Sequence, residues 1–558
     1  MTRLGKLFRN SIFGLLAFTV HIVASLILLR FLNSQLGLEI VGLNALLVSA
    51  IAGLAVVDIG LTTAIEFALY KPLNEKNYEQ VALLVRYFRG VYLTIGAIMV
   101  AIALAIFPFI PMITQNEFTH LQVLPAFAIF LTQTFLSYFF AYNHKLLFAD
   151  QKQFISSIVA SCGRIVTSGL QILILLTVPL SSLNTFYLVL GVMLFVSIGF
   201  NVGITVFVKK RYPFLGKYKG KPAPELLEPT KQNMLAFAFH RIGDVALVGK
   251  DALIVSALLG TVVAGYLANY MQLVTSMNLL AIAIFSGVVA TFGNLLATES
   301  KETVYQKYKK VKFLNFFFFV IVTTAIFILS RDFLYAAILP PEASEQAIFH
   351  QVVMGFLAAN MFLFGYSSIL RHFRVSAGAY NPDKWFQLLF VAIGIGLSVG
   401  LGFALRPLGD MWGILGVLIG TTVAWILRDI VVLPIISKKH IHGGKRREYY
   451  KRFGIDFAVA VVTVTLVGVI YHFLRMAIEN IALRMLTGIA LSLIIPIAIM
   501  GLVYHKTEEF IYLRGIFKRL FGKKENVGEV IQESVDEMVG EVEFSESKTE
   551  AAEDIIDV

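Results

Sequence analysis

Apolar residues in this chain fall in runs of roughly 20, parted by short polar stretches in which Lys and Arg recur. As an α-helix, such a run spans the hydrocarbon layer of a bilayer, whereas buried helices of water-soluble proteins are shorter. About fourteen runs can be marked, near 11–31, 41–69, 88–112, 122–143, 154–177, 185–208, 233–257, 263–297, 312–334, 347–370, 385–405, 412–436, 454–474 and 481–503. A membrane β-barrel would show alternating segments of about ten residues, and the sequence has none. The pattern predicts an all-α polytopic membrane protein. Composition agrees, with 57% of residues hydrophobic and 15% charged.

The opening stretch "MTRLGKLFRN" is basic like the start of a signal peptide. The apolar run behind it is too long for one, and no small-residue cleavage site follows, so it reads as an uncleaved first span. The single cysteine, Cys162, lies inside a run, which excludes a disulfide framework. The net charge of +11 is placed by topology. Of the 47 Lys and Arg, 38 fall at the two termini and at alternate loops, and only Arg331, Arg406, Arg475 and Arg484 fall at the others. Positive loops stay on the cytoplasmic side, so both termini are expected there. Charge of this kind is an orientation signal and gives no reason to expect a nucleic-acid partner.

Two stretches share their punctuation, "QLGLEIVGL" and "LLGTVVAGY". Gly37 and Gly260, Gly42 and Gly265, and Asn10 and Asn233 each stand 223 residues apart. Six runs separate the two stretches, an even number. Both halves therefore enter the membrane in the same sense, as a parallel repeat about an axis along the membrane normal with a binding site between the halves. Glycine would let the chain turn at the membrane surface and let helices approach closely. The expected organisation is a six-helix bundle over 1–208, a basic linker over 209–231, a second six-helix bundle over 232–437, two additional spans over 438–504, an amphipathic basic helix over 505–524 and an acidic disordered tail over 525–558. In the amphipathic helix, Phe510, Leu513, Phe517 and Phe521 share a face suited to the inner leaflet. The tail holds twelve acidic residues and one Lys, a composition that cannot bury a core.

An ionisable residue at mid-bilayer costs roughly 2.5–3.5 kcal/mol on insertion scales, so it faces a cavity or a partner. In the 154–177 run, Ser157, Ser161, Arg164, Ser168 and Gln171 fall within about 80° of arc, a polar stripe with a cation at its centre. Its guanidinium calls for a carboxylate or an anionic ligand. In the 233–257 run, His240, Asp244 and Asp251 share a face about 40° wide. Arg241 stands beside Asp244, and Lys250 is expected to point away. An Asp–His pair on a wet face exchanges protons near neutral pH, so His240, Asp244 and Asp251, with Asp58 from the second run, are candidates for coupling transport to a proton or sodium ion. Asn269 and Gln272 (with Ser276) form a smaller polar face, and Arg428 stands beside Asp429. Arg30, near the outer end of the first run, is expected to snorkel to headgroups. Arg371 and His372 read as loop-edge charges. No nucleophile–base set and no metal-spaced cluster appears, so neither catalytic nor metal-binding residues are expected, and no cofactor.

The stretches "LLRFLNSQLGLEIVGLNALL", "VVDIGLTTAI" and "ALYKPLNEKNYEQVALLVRYFRGVY" resemble the polysaccharide flippases of the multidrug/oligosaccharidyl-lipid/polysaccharide exporter superfamily. The likeness is best over residues 5–110, and the span count and repeat carry it to about residue 505. It implies two six-helix bundles around a central cavity, and transport of a polyprenyl-pyrophosphate-linked glycan from the inner to the outer leaflet. Basic cavity residues would meet the pyrophosphate, among the lipids of a bacterial plasma membrane and alongside polysaccharide-assembly proteins. The sequence departs from a cationic lumen in one respect. Arg164, Arg241, Lys250 and Arg428 are nearly matched by Asp58, Asp244, Asp251 and Asp429. A cation antiporter of the same superfamily is the alternative, and a membrane glycan polymerase a weaker one, because no outer loop is long enough to hold a sugar acceptor.

Overall fold

The computed structural model describes residues 3–54, 65, 68–150, 152–225, 243, 246–247, 249–285, 292, 295–296, 299–339, 351–377, 384–436 and 446–521. Among them every regular element is a helix, as lipid demands, since only a helix satisfies its own backbone polar groups without a partner strand. The first half comprises α1 (Arg3–Leu36), α2 (Leu38–Leu54), α3 (Tyr78–Ile106), α4 (His120–Ala149), α5 (Gln153–Thr177) and α6 (Ser182–Arg211). The second comprises α7, described over 249–259, then α8 (Thr261–Phe285), α9 (Lys301–Phe333), α10 (Gln351–Tyr366), α11 (Lys384–Leu405) and α12 (Asp410–Trp425). Two further spans follow, α13 (Arg446–Ala477) and α14 (Ile481–Tyr504), and a short α15 (Glu508–Phe521).

Eleven candidate spans lie among the described residues, the first of which, Leu16–Ile51, holds both α1 and α2. The 41–69, 233–257, 263–297 and 347–370 runs fall partly outside the described residues, as does the end of the linker, and the 525–558 tail lies wholly outside them. The protein is an all-α polytopic membrane protein. Polar side chains fix several helix starts. Asn77 accepts from the Gln80 amide at the head of α3, and Thr119 and Gln122 exchange side-chain-to-backbone bonds at the head of α4.

The helices turn twice in the same way. Gly37 joins α1 to α2 at φ 82°, and Gly260 joins α7 to α8 at φ 91°, a region open to glycine at little cost. Five residues beyond each turn, α2 and α8 cross backbone to backbone. A Cβ on Gly42 would stand 1.9 Å from the Thr261 carbonyl oxygen, and one on Gly265 would stand 2.2 Å from the Leu38 carbonyl oxygen. Leu38 and Thr261 are themselves 223 residues apart. The crossing is therefore reciprocal: each half offers the same carbonyl to the same glycine of the other.

Buried apolar residues are distributed unequally. Among the described residues, the second half has one large core, reaching from Leu247 to Leu513, with a small satellite of Ile328, Val467 and Tyr471 where α13 packs on α9. The first half has two. One gathers Leu84, Phe88, Tyr138 and Leu146 at the end that carries the Lys/Arg-rich loops, called the basic face below. The other gathers Leu43, Phe127, Leu175 and Phe186 at the opposite, sparsely charged face.

Two buried carboxylates tie α13 and α14 to the second half. Near the sparsely charged face, Asp332 of α9 accepts from Tyr471 (2.6 Å) and Arg484 (3.0 Å). At the basic face, Asp456 of α13 accepts from Tyr366 (2.9 Å), Tyr504 (2.7 Å) and Arg452 (3.0 Å). Two expectations need correction. α15 does not lay its apolar side on lipid alone: Leu513 is buried, and the Phe510 ring packs edge-on against Phe313 of α9. Arg30 does not end in headgroups: it donates to the Ala337 carbonyl (3.0 Å) at the π-helical turn Leu334–Ile338 that closes α9, where helix-end carbonyls lack intrahelical donors.

Candidate functional site

The polar stripe on α5 is divided by its surroundings. Towards the sparsely charged face it is packed away: Ser168 and Gln171 are buried, and the Gln171 amide donates to the Val189 carbonyl of α6 (2.9 Å), a helix–helix bond common in membranes. Towards the basic face, Ser157, Ser161 and Arg164 are only half-buried, and Ser161 turns back onto the Ser157 carbonyl (2.9 Å). Arg164 stands between the two apolar clusters of the first half: Ile155 and Val159 of α5 pack on one, Ile174 and Leu175 on the other. Among the described residues no hydrogen bond or ion pair reaches its guanidinium. The helix α1, which carries the half-buried His21, packs along α5.

Sequence reasoning missed a third member of this layer. Gln133 of α4 carries a buried side-chain oxygen with no partner among the described residues. By helix rise, Gln133, Arg164 and His21 each lie roughly 20 Å below the sparsely charged face. The signal was available on the same helix, where Gln133 shares a face with Ser137 four residues on.

In the second half, the sequence-predicted charges among the described residues, Lys250, Asp251, Arg428 and Asp429, are paired. Lys250 does not point away from Asp251. Its ammonium donates to Asp251 (2.6 Å), Ser398 (2.7 Å) and Thr421 (2.6 Å), joining α7 to α11 and α12, and every member of the group is buried. A four-carbon stem lets the ammonium come round to a face that its Cα does not share. Arg428 binds Asp429 (2.8 Å) in the π-helical turn Ile426–Val432. Arg371, read from sequence as a loop-edge charge, also reaches Asp429 and donates to Ser367 (2.8 Å), because α10 resumes after Ser367 as the helix Ser368–Ser376. Asp58, His240, Arg241 and Asp244 lie outside the described residues.

Asn269 is spent on the junction of the halves. It exchanges two amide hydrogen bonds with Asn33 of α1, at 2.7 and 3.1 Å. Gln272 is half-buried one turn on, and its carbonyl accepts from Ser276 (2.8 Å). The same junction carries Gln115 donating to the Ala257 carbonyl (3.1 Å) and Ser256 donating to the Ile113 carbonyl (3.1 Å). Glu117 accepts from the Thr261 amide (3.0 Å) and hydroxyl at the start of α8. With the glycine crossing, these contacts close the halves against each other at the sparsely charged face. Glu117 also sits at a helix N-terminus, where a carboxylate meets unpaired amides and the positive end of the dipole. Glu117→Ala should accelerate amide exchange in the first turn of α8 about fivefold, as expected for a cap worth roughly 1 kcal/mol. Unchanged exchange over residues 259–264 would show that the carboxylate holds nothing there.

No protein-family model matches the sequence, and no curated protein matches it. Solved structures do match its fold. The lipid II flippase MurJ, in an inward closed conformation, superposes with a TM-score of 0.59 at 12% identity, covering 89% of this chain and 98% of the flippase. A multidrug-resistance MATE transporter of the MOP superfamily, inward-facing, gives 0.56 at 13% identity over 77% of this chain and 99% of the transporter. A MOP superfamily transporter from Pyrococcus furiosus, described as having a binding pocket of reversed polarity, gives 0.53 at 14% identity over 78% of this chain and 96% of its own. The chain thus has the fold these multidrug and lipid-flipping transporters share.

Proposed function

We propose that this protein is a membrane transporter that carries a lipid-linked oligosaccharide from the cytoplasmic to the outer leaflet by alternating access of its two halves. The observation that carries the reading is Arg164: a cation near the middle of a span, half-buried, with no counter-ion among the described residues. An anionic head, such as the pyrophosphate of a polyprenyl-linked glycan, would complete it. The split core of the first half supports an opening at that depth, with Ser157 and Ser161 on its basic side. The junction at the sparsely charged face fits a state open towards the cytoplasm, where such a substrate is made. The extra helices α13 and α14 fit the flippase, which covers more of this chain than the multidrug transporter does. Two buried carboxylates of the second half, Asp251 and Asp429, are already held by Lys250 and Arg428, which disfavours a cationic drug as cargo. Ion coupling in this reading falls to Asp58, His240 and Asp244.

Arg164→Ala should lower glycan export about 10- to 100-fold, the worth of a charge-assisted hydrogen bond or two, with lipid-linked glycan accumulating in the inner leaflet and protein levels unchanged. Arg164→Lys should retain part of the activity. Full export by the alanine variant would remove Arg164 from the mechanism. Drug sensitivity of a deletion strain with normal surface glycan would favour the antiporter.

A further inference from the structure

At the basic face, away from the first half, α9, α13 and α15 enclose a cavity of ≈ 210 Å³. A water's share of liquid volume is about 30 Å³, so the space suits one small headgroup. Its walls bring together Lys309 and Lys312 from α9, Lys451 and Arg452 from α13, and three carboxylates, Glu448, Asp456 and Glu509.

Two of these charges are already spent. Asp456 is saturated by Arg452, Tyr366 and Tyr504. Arg452 in turn lies over the Tyr504 ring at 4.6 Å. Lys312 is different. Its ammonium sits 4.1 Å from the centre of the Tyr449 ring and 4.6 Å from that of Tyr366, and among the described residues it makes no hydrogen bond or ion pair. Ring faces attract a cation without using up its three N–H donors. Setting aside the Arg452–Asp456 pair, three lysines face two glutamates, which leaves one positive charge in excess.

We propose that this cavity binds the phosphodiester headgroup of an inner-leaflet lipid, with Lys312 as the central contact and Lys309 and Lys451 at the rim. A phosphodiester carries a single negative charge, the complement of the excess. The site lies where α9 and α13 leave the membrane beside α15, at headgroup level, and basic pockets between spans on that side suit anionic lipids. It would anchor α13, α14 and α15 to the bilayer. The site stands apart from Arg164 and is independent of the cargo.

The test uses the full chain in phosphatidylcholine nanodiscs containing a minor fraction of phosphatidylglycerol, with retained lipid counted by native mass spectrometry. The parent protein should keep one phosphatidylglycerol. Lys312→Gln should lower its retention about fivefold, as for loss of one lysine near an anionic lipid. Lys451→Gln, at an exposed position that does not threaten folding, should lower it in the same direction, and Lys219→Gln on the linker should leave it unchanged. Equal retention in the parent and the Lys451→Gln and Lys312→Gln proteins would overturn the site. Displacement of the lipid by millimolar inorganic phosphate would overturn the lipid headgroup as its occupant.

Discussion

Gly42→Ala and Gly265→Ala should each destabilise the purified protein by about 3 kcal/mol, at or above the upper end of overpacking effects. The added methyl would meet a backbone carbonyl at 1.9 or 2.2 Å, and a carbonyl within a helix cannot rotate aside as a side chain can. The halves would have to part at the sparsely charged face. Gly90→Ala is the control, because a Cβ there meets nothing within 4 Å, and helix interiors prefer alanine. The double variant Gly42→Ala/Gly265→Ala should lose little more than either single one, since residues in contact are not additive and the first methyl already opens the gap for the second. Melting curves in detergent decide the matter. Equal apparent melting temperatures for Gly42→Ala and Gly90→Ala would mean that the crossing does not hold the halves.

The second large effect concerns the buried ammonium. Lys250→Met should cost about 3–5 kcal/mol, because it leaves Asp251 charged and buried without its counter-ion. Lys250→Met/Asp251→Leu should recover most of that loss, since apolar residues of similar volume replace a buried ion pair at little cost or with a gain. The hydroxyls left behind keep an acceptor: Ser398 and Thr421 both donate to the Val417 carbonyl, at 2.7 and 3.3 Å. The double variant also separates two roles for Asp251. A stable protein that still transports assigns the pair to architecture. A stable protein that has lost transport puts Asp251 back among the coupling residues.

The parts legible in the sequence were those written in one helix or in regular spacing. Run length gave the spans because the bilayer fixes how long they must be. Gly37, Gly42, Gly260 and Gly265 gave the turns and the crossing because glycine is the residue such backbone geometry requires. Arg164 stood out because charge is costly at that depth. What stayed hidden were partnerships across the fold. Asp332 with Arg484, 152 positions away, and Asp456 with Tyr366, 90 positions away, leave no periodic mark on either helix. His144 bridging Ser156 of α5 and Asn201 of α6 is of the same kind. Arg371 was misplaced for a local reason: α10 breaks at Ser367 and resumes, carrying the arginine back to Asp429.

The glycine crossing is self-complementary, since Gly42 meets Thr261 as Gly265 meets Leu38. A contact in which the same residues face each other across a two-fold axis is the isologous kind that holds homodimers together. Linked in one polypeptide, the two halves meet through that patch at a high effective concentration. Joining them by a tether adds no affinity to the patch itself; it guarantees that each half always finds its mate.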